Sequence, residues 1–281
     1  MTQLLIYKYR IPVRNVKCKR IYQFSDTHLT QWDDLSSEDE KQRAISRTED
    51  WLRGRAGFAQ AYGEPCGEAQ MRPAKIIFEA LLEASKEADA LIMAGDIIDF
   101  DTDGNTRLLE QALKDYPIPY MPLCGNHDEP DKLPIGHPMK SAGEPVQKLD
   151  LGDMVILGFD NSKRVISTEQ IEILKNTLQA GKPVLISMHI PIHTDGMAHN
   201  DDYYAMNYTG CPEENLLFMD IIQANADKVI AITCGHLHGA KVSEFCAGVN
   251  QYVSSQGLIG SLCVFDIGET EYEANSHTEK F

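Results

Sequence analysis

Six short apolar runs, each halted by aspartate, glycine or histidine, limit this chain to few architectures. They are Arg20–Ser25 before Asp26, Ala90–Ala94 before Gly95, Pro119–Cys124 before Gly125, Val155–Phe159 before Asp160, Val184–Met188 before His189 and Val229–Cys234 before Gly235. Such runs are too short for most helices, and most suit strands buried on both faces. Helical patterns lie between them. Pro73–Glu87 places Ile76, Ile77, Ala80, Leu81 and Ala84 at helical spacing, with Pro73 in the first turn. Thr106–Leu113 and Glu214–Ala224 read the same way, and Ser167–Gln170 has the character of a capping box ahead of Ile171, Ile173, Leu174 and Leu178. Strand alternating with helix predicts an α/β fold.

Beyond Lys241 the pattern changes to three strand-like segments, near 241–246, 249–254 and 261–267, read as antiparallel strands closing a second sheet. The N-terminal run Leu4–Tyr7, cut off by Lys8 and Arg10, is too short for a signal-peptide core and reads as a brief strand. Two stretches break the rhythm. Thr30–Arg72 is charged and partly helical around Asp39–Ala61; a solvated surface helix is the preferred reading, a flap beside the site the alternative. Pro191–Cys211 is polar and aromatic and reads as a long functional loop, with His193, His199, Tyr203, Tyr204 and Tyr208.

The length of 281 residues permits one large domain or two small ones, and a net charge of −16 disfavours nucleic acid and anionic lipid as partners. A small anionic substrate stays open, because local cations dominate at short range. Seven scattered cysteines without C-x-x-C spacing point to reduced thiols in a cytoplasmic protein. No segment approaches the roughly 20 apolar residues that span a bilayer.

Chemistry gathers where the runs stop. Asp26 and His28, separated by one residue, can point into one space, although D-x-H is common by chance. Asp96 follows a buried run and a glycine, so its carboxylate stands at the carboxyl edge of the sheet, where α/β folds bind ligands; the plain alternative is a turn former. Gly125-Asn126-His127-Asp128 is the most specific motif, with an amide oxygen for a metal and an imidazole beside it placed to protonate a leaving oxygen. His189 alone would more often be a hydrogen-bonded core residue. His236 and His238, two apart on an extended segment, share a face. Five motifs in this order supply enough oxygen and nitrogen donors for two divalent cations about 3.5–4 Å apart, a standard arrangement for cleaving phosphate esters.

These motifs resemble those of the calcineurin-like metallophosphoesterase superfamily, which run D-x-H, G-D-x-x-D, G-N-H-D/E, H and G-H-x-H. The resemblance covers residues 20–240. Gly158–Ser162 with Ser167–Ile171 and Leu174 further resembles the bacterial cyclic-nucleotide-phosphodiesterase-like branch. The resemblance implies a four-layer α/β/β/α sandwich of two mixed β-sheets flanked by helices, as a single domain over 1–281 with a helical insertion at 30–72. It implies that Asp26, His28, Asp96 and His238 hold one metal, and that Asp96, Asn126, His189 and His236 hold the other, with Asp96 bridging. It implies that His127 is the general acid, steered by Asp99. One departure stands out: Phe100 and Asp101 occupy the positions where the Ser/Thr protein phosphatases of the superfamily carry arginine and glycine. That weakens a protein-phosphatase reading and favours a phosphodiesterase or small-molecule phosphatase.

The expected reaction is hydrolysis by a hydroxide shared between two transition-metal ions, the mixed donor set suiting Mn, Fe, Zn, Co or Ni better than Mg. The expected substrate is a small phosphate ester, with a nucleotide one candidate. Asn161, His193, Tyr203 and Tyr204 are candidate substrate contacts. Two rivals are a metal-binding scaffold without turnover and a nuclease. Intact ligand positions argue against the first, and the acidic charge without a basic stripe argues against the second.

Overall fold

The computed structural model describes residues 2–67, 70–195, 197, 205–207 and 210–269. In chain order its strands are β1 (Leu5–Pro12), β2 (Lys19–Phe24), β3 (Ala90–Ala94), β4 (Tyr120–Leu123), β5 (Val146–Asp150), β6 (Val155–Phe159), β7 (Val184–Met188), β8 (Val229–Cys234), β9 (Lys241–Cys246), β10 (Val249–Val253) and β11 (Ser261–Gly268). The α-helices among the described residues are α1 (Glu38–Ala61), α2 (Ala74–Ser85), α3 (Asp103–Leu113), α4 (Thr168–Gln179) and α5 (Glu213–Ala224).

The strands form two mixed sheets, ordered β1-β11-β2-β3-β4 and β5-β6-β7-β8-β10-β9. Their uninterrupted apolar runs are explained by burial on both faces: β3, β6, β7 and β8 are buried at every position. Alternation sorts each strand into two layers. In β3, Leu91 and Met93 pack with α2 and α3, whereas Ala90, Ile92 and Ala94 face the second sheet. In β7, Val184, Ile186 and Met188 pack with α4 and α5, whereas Leu185 faces the first sheet. The result is the four-layer α/β/β/α sandwich.

Several boundaries differ from expectation for local reasons. Pro73 sits at the N-cap of α2 rather than inside its first turn. Helix α3 starts at Asp103 because the Thr102 hydroxyl accepts a hydrogen bond from the Asn105 N–H. The capping box at Ser167 and Gln170 is present. Strand β1 runs to Pro12, half-exposed along an edge, and β5 adds an antiparallel edge to the second sheet.

The reading of the C-terminal strands needs correction. Strands β9 and β10 pair antiparallel, but β10 lies parallel to β8. Strand β11 leaves that sheet and inserts into the first, parallel to β1 and antiparallel to β2. It is apolar on both faces, so an interior position satisfies it: Leu262 and Val264 face the helices, and Cys263, Phe265 and Ile267 face the other sheet. All seven cysteines are free thiols. Among the described residues, no helix is long and apolar enough to cross a membrane.

Candidate metal centre

Strands β2, β3 and β4 run parallel, as do β7 and β8, so the loops leaving their carboxyl ends collect at one edge of the sandwich. The loops after β2 and β3 are joined by backbone bonds: Asp26 N–H donates to the Gly95 carbonyl at 3.0 Å, His28 N–H to that of Asp96 at 3.0 Å, and Leu29 N–H to that of Ile97 at 2.9 Å. The loop after β7 is docked by its own side chain, with His189 Nδ1 2.7 Å from the Ala94 carbonyl oxygen. Glycines permit the close approach. A Cβ at Gly95 would meet the His189 ring, and one at Gly235 would meet Ser25 and Asp26.

Backbone strain is concentrated here. Among the described residues, seven non-glycine positions have positive φ, and five are Asp26 (55°), His28 (40°), Asp96 (51°), His236 (74°) and His238 (59°). Such conformations are unfavourable for side chains with a Cβ and persist only where surrounding contacts hold them.

Two Asp/His clusters face each other. Asp26, His28 and His238 form one, and Asp96, His189 and His236 the other; in each, one donor atom per residue lies within 4.8 Å of the others. In the first, His28 Nε2 is 3.1 Å from His238 Nε2, which is 3.4 Å from Asp26 Oδ1. In the second, His189 Nε2 is 3.2 Å from Asp96 Oδ2, and the same oxygen is 3.8 Å from His28 Nε2 in the first. Asp96 therefore stands between the clusters. Its other oxygen accepts the His127 N–H at 2.8 Å. Asn126 precedes His127 on this loop and is exposed. The residues fit divalent cations: imidazole nitrogens and carboxylate oxygens converge in two largely buried clusters.

Electrostatics agree with such a site. Burial alone would raise the Asp96 carboxyl, but the neighbouring His189, with His28 and His127, holds it well below the ordinary range. Burial would lower His189, yet Asp96 and Asp26 bring it up to about 10. Asp26, despite complete burial, is held at about 2 chiefly by His238. Burial and the adjacent His189 charge push His236 down to about 3, and burial also lowers His28. In the metal-free protein a proton on His189 thus does the work of a cation. Below about pH 10 that proton competes with a metal, so affinity rises with pH. Loading at about pH 7.5 is expected to release about one proton from His189. Titration calorimetry in buffers of different ionisation enthalpy measures it; heats independent of the buffer would contradict this.

A third cluster comprises His28, Asp99 and His127. Asp99 Oδ1 is 3.2 Å from His127 Nδ1 and 3.5 Å from His28 Nδ1. A guanidinium already engages this carboxylate: Arg47 donates from Nε at 2.6 Å and from Nη2 at 2.9 Å. A cation is therefore in place, and the group is better suited to holding imidazoles than a third metal. Hydrogen bonding to Asp99 raises His127 to about 9.

The preferred reading of 30–72 as a solvated surface helix is corrected, because α1 lies over the centre. The Trp51 ring stacks on His28 with centroids 4.0 Å apart, and Phe58 meets His238 at 4.7 Å. Glu64, just past the helix, accepts the Ala240 N–H at 2.6 Å. Arg47 and Trp51 were not anticipated; their four-residue spacing on a predicted helix was the available signal. Asp128 was also missed: it accepts N–H groups from Ile97, Ile98 and Gly125, locking the loops after β3 and β4 together.

Asn161 as a substrate contact is corrected as well. It is 1% exposed, its oxygen accepts the N–H groups of His189 and Ile190, and its amide nitrogen donates to the Ile190 carbonyl at 2.7 Å. Those bonds commit it to shaping the turn that carries His189. His193 is half-buried, and its N–H bonds the Met206 carbonyl. Tyr203 and Tyr204, with His199 and Tyr208, lie outside the described residues.

Comparison with known proteins agrees with this geometry. The profile of the calcineurin-like phosphoesterase family matches residues 19–240, and the chain belongs to that family. It is 25% identical over 160 residues to a probable cyclic nucleotide phosphodiesterase of Synechococcus sp., a match spanning 55% of this chain and 60% of that relative. It also resembles the crystal structure of a dimetal phosphatase from Danio rerio, with a TM-score of 0.52 and 14% identity over 85% of this chain and 88% of the other. That likeness bears on the fold alone.

Proposed function

We propose that the protein hydrolyses small phosphate esters, preferentially diesters, at a dinuclear centre. The observation that carries this is the position of Asp96 Oδ2 between His189 Nε2 at 3.2 Å and His28 Nε2 at 3.8 Å, which joins two Asp/His clusters through one carboxylate. Asp26, His28, Asp96 and His238 would hold one ion, and Asp96, Asn126, His189 and His236 the other. When bound, the ions supply Lewis acidity and an activated water. The donor set favours Mn, Fe, Zn, Co or Ni.

The chain's own residues do the rest. Asp99 fixes the His127 ring through Nδ1, so Nε2 is the nitrogen left to face a leaving oxygen. With its pKa raised to about 9, His127 carries a proton at neutral pH and can give it up as the P–O bond breaks. Trp51 and Phe58, in the 30–72 segment that we read as a helical insertion, cover His28 and His238 and limit water on that flank. The name of the Synechococcus relative supports a nucleotide-like substrate, and the net charge of −16 speaks against long nucleic acid.

A panel of cyclic nucleotides, acyclic diesters and monoesters, assayed with each metal in turn, tests this reading. Turnover of a diester, with monoesters at least about tenfold slower in kcat/KM, is expected. Bound metal without turnover of any ester would instead favour the scaffold reading. Cleavage of single-stranded DNA ahead of all small esters would favour a nuclease.

A further inference from the structure

Helix α1 carries Arg43, Arg47 and Trp51 at four-residue intervals, and the last two reach the centre. Arg43 lies 3.9 Å over the Phe100 ring, Arg47 chelates Asp99 through two nitrogens, and Trp51 stacks on His28. They share one face of the helix. Arg47 is the one whose partner is chemically engaged, because Asp99 Oδ1 lies 3.2 Å from His127 Nδ1 and 3.5 Å from His28 Nδ1. A carboxylate between two imidazoles can turn toward either. His127 Nδ1 also lies 3.1 Å from the Asp99 main-chain carbonyl oxygen, so Asp99 holds the ring at two points, and the bidentate guanidinium fixes the plane of the side-chain one.

We propose that Arg47 is a positioning residue for proton donation: by clamping both Asp99 oxygens from α1, it aims His127 at the leaving oxygen. This rests on the reading of His127 as general acid. In the step concerned, water oxygen bonds to phosphorus, one of its protons staying on the new phosphate group and the other passing to solvent, and the bond from phosphorus to the leaving oxygen breaks. The electron pair stays on that oxygen, which takes the proton from His127 Nε2, leaving a neutral imidazole. Poor leaving groups need that proton and good ones hardly do, so damage to the clamp should depend on the leaving group. Damage to folding or metal binding should not.

The test compares methyl phenyl phosphate with methyl p-nitrophenyl phosphate, using manganese-loaded protein of verified metal content. In Arg47→Met, kcat on the phenyl ester is expected to fall roughly 10–100-fold, as for the loss of other outer-shell partners. On the p-nitrophenyl ester it is expected to fall less than about threefold, with KM for both within about twofold. Arg47→Lys, which keeps charge but loses the planar fork, is expected to lie between. It also serves should the methionine variant fold poorly. Asp50→Asn, altering an exposed neighbour 3.8 Å from Arg47, is expected to behave as the unaltered protein. Equal losses on both esters would reduce Arg47 to a structural tether and overturn the proposal. A raised KM with unchanged kcat would make it a substrate grip and overturn it too. His127→Ala separates the two readings. If it shows no leaving-group dependence, the general-acid reading fails; if it shows one and Arg47→Met does not, only the role of Arg47 fails.

Discussion

Asp96→Asn is expected to abolish hydrolysis of bis-p-nitrophenyl phosphate, with kcat down by at least about three decades, or about 4 kcal/mol of transition-state stabilisation. The substitution preserves volume and removes a charge. Asp96 directs one oxygen toward His189 and His28 and the other to the His127 N–H. An asparagine has one oxygen for these two duties, and its amide would aim a donor at either a cation or another donor. Metal content is expected to fall alongside turnover. In metal-free protein some loss of stability is expected as well, because removing one partner of a buried ion pair is destabilising. Inactivity in protein that still melts cooperatively above the assay temperature therefore identifies a site lesion rather than unfolding. Full metal loading and turnover within about tenfold of the unaltered protein would remove Asp96 from the centre and the two-metal reading with it.

What could be read from the sequence follows from the range of the forces involved. Strands β3, β7 and β8 were legible because burial on both faces demands unbroken apolar runs. The punctuation after them was legible because a sharp turn at the carboxyl edge needs glycine, and the residue after it is then committed to the site. Partner choice was not legible. Nothing local in Ser261–Gly268 distinguishes an interior strand of the first sheet from an edge of the second; that depends on β1 and β2, more than two hundred residues earlier by the pairing Leu5 with Ser261. The position of α1 was likewise hidden. Its charged sequence reads as solvated, and only the folded molecule shows Arg47 neutralised against Asp99 and Trp51 lying flat on His28. Asn161 illustrates a third limit. A polar residue beyond a strand can serve a ligand or the backbone, and its composition is the same in either case; here the His189 turn claims it.

Gly125→Ala is expected to lower kcat by about a hundredfold or more, the penalty associated with roughly 1 Å of misplacement in a reacting group. A methyl group is added at a position without positive φ, so backbone conformation is not the difficulty; the space is. A Cβ there would overlap the Asp96 carboxylate and its backbone nitrogen, with Asp96 Cγ 2.8 Å away. Neither obstacle is the free end of a flexible side chain. Asp96 is held on one side by the joined loops after β2 and β3 and on the other by the His127 N–H. Relief must come from the 125–128 loop, which would move outward and carry Asn126 and His127 with it. One metal is then expected to be lost in preference to the other, since His28 and His238 sit on different loops. Gly248→Ala supplies the contrast. Its φ of 85° makes alanine strained, but nothing lies within 4 Å of the new methyl. It should lose about 1 kcal/mol of stability and keep its activity. If Gly125→Ala matched Gly248→Ala in both turnover and metal content, the loop after β4 would not be the element that holds the His127 N–H against Asp96.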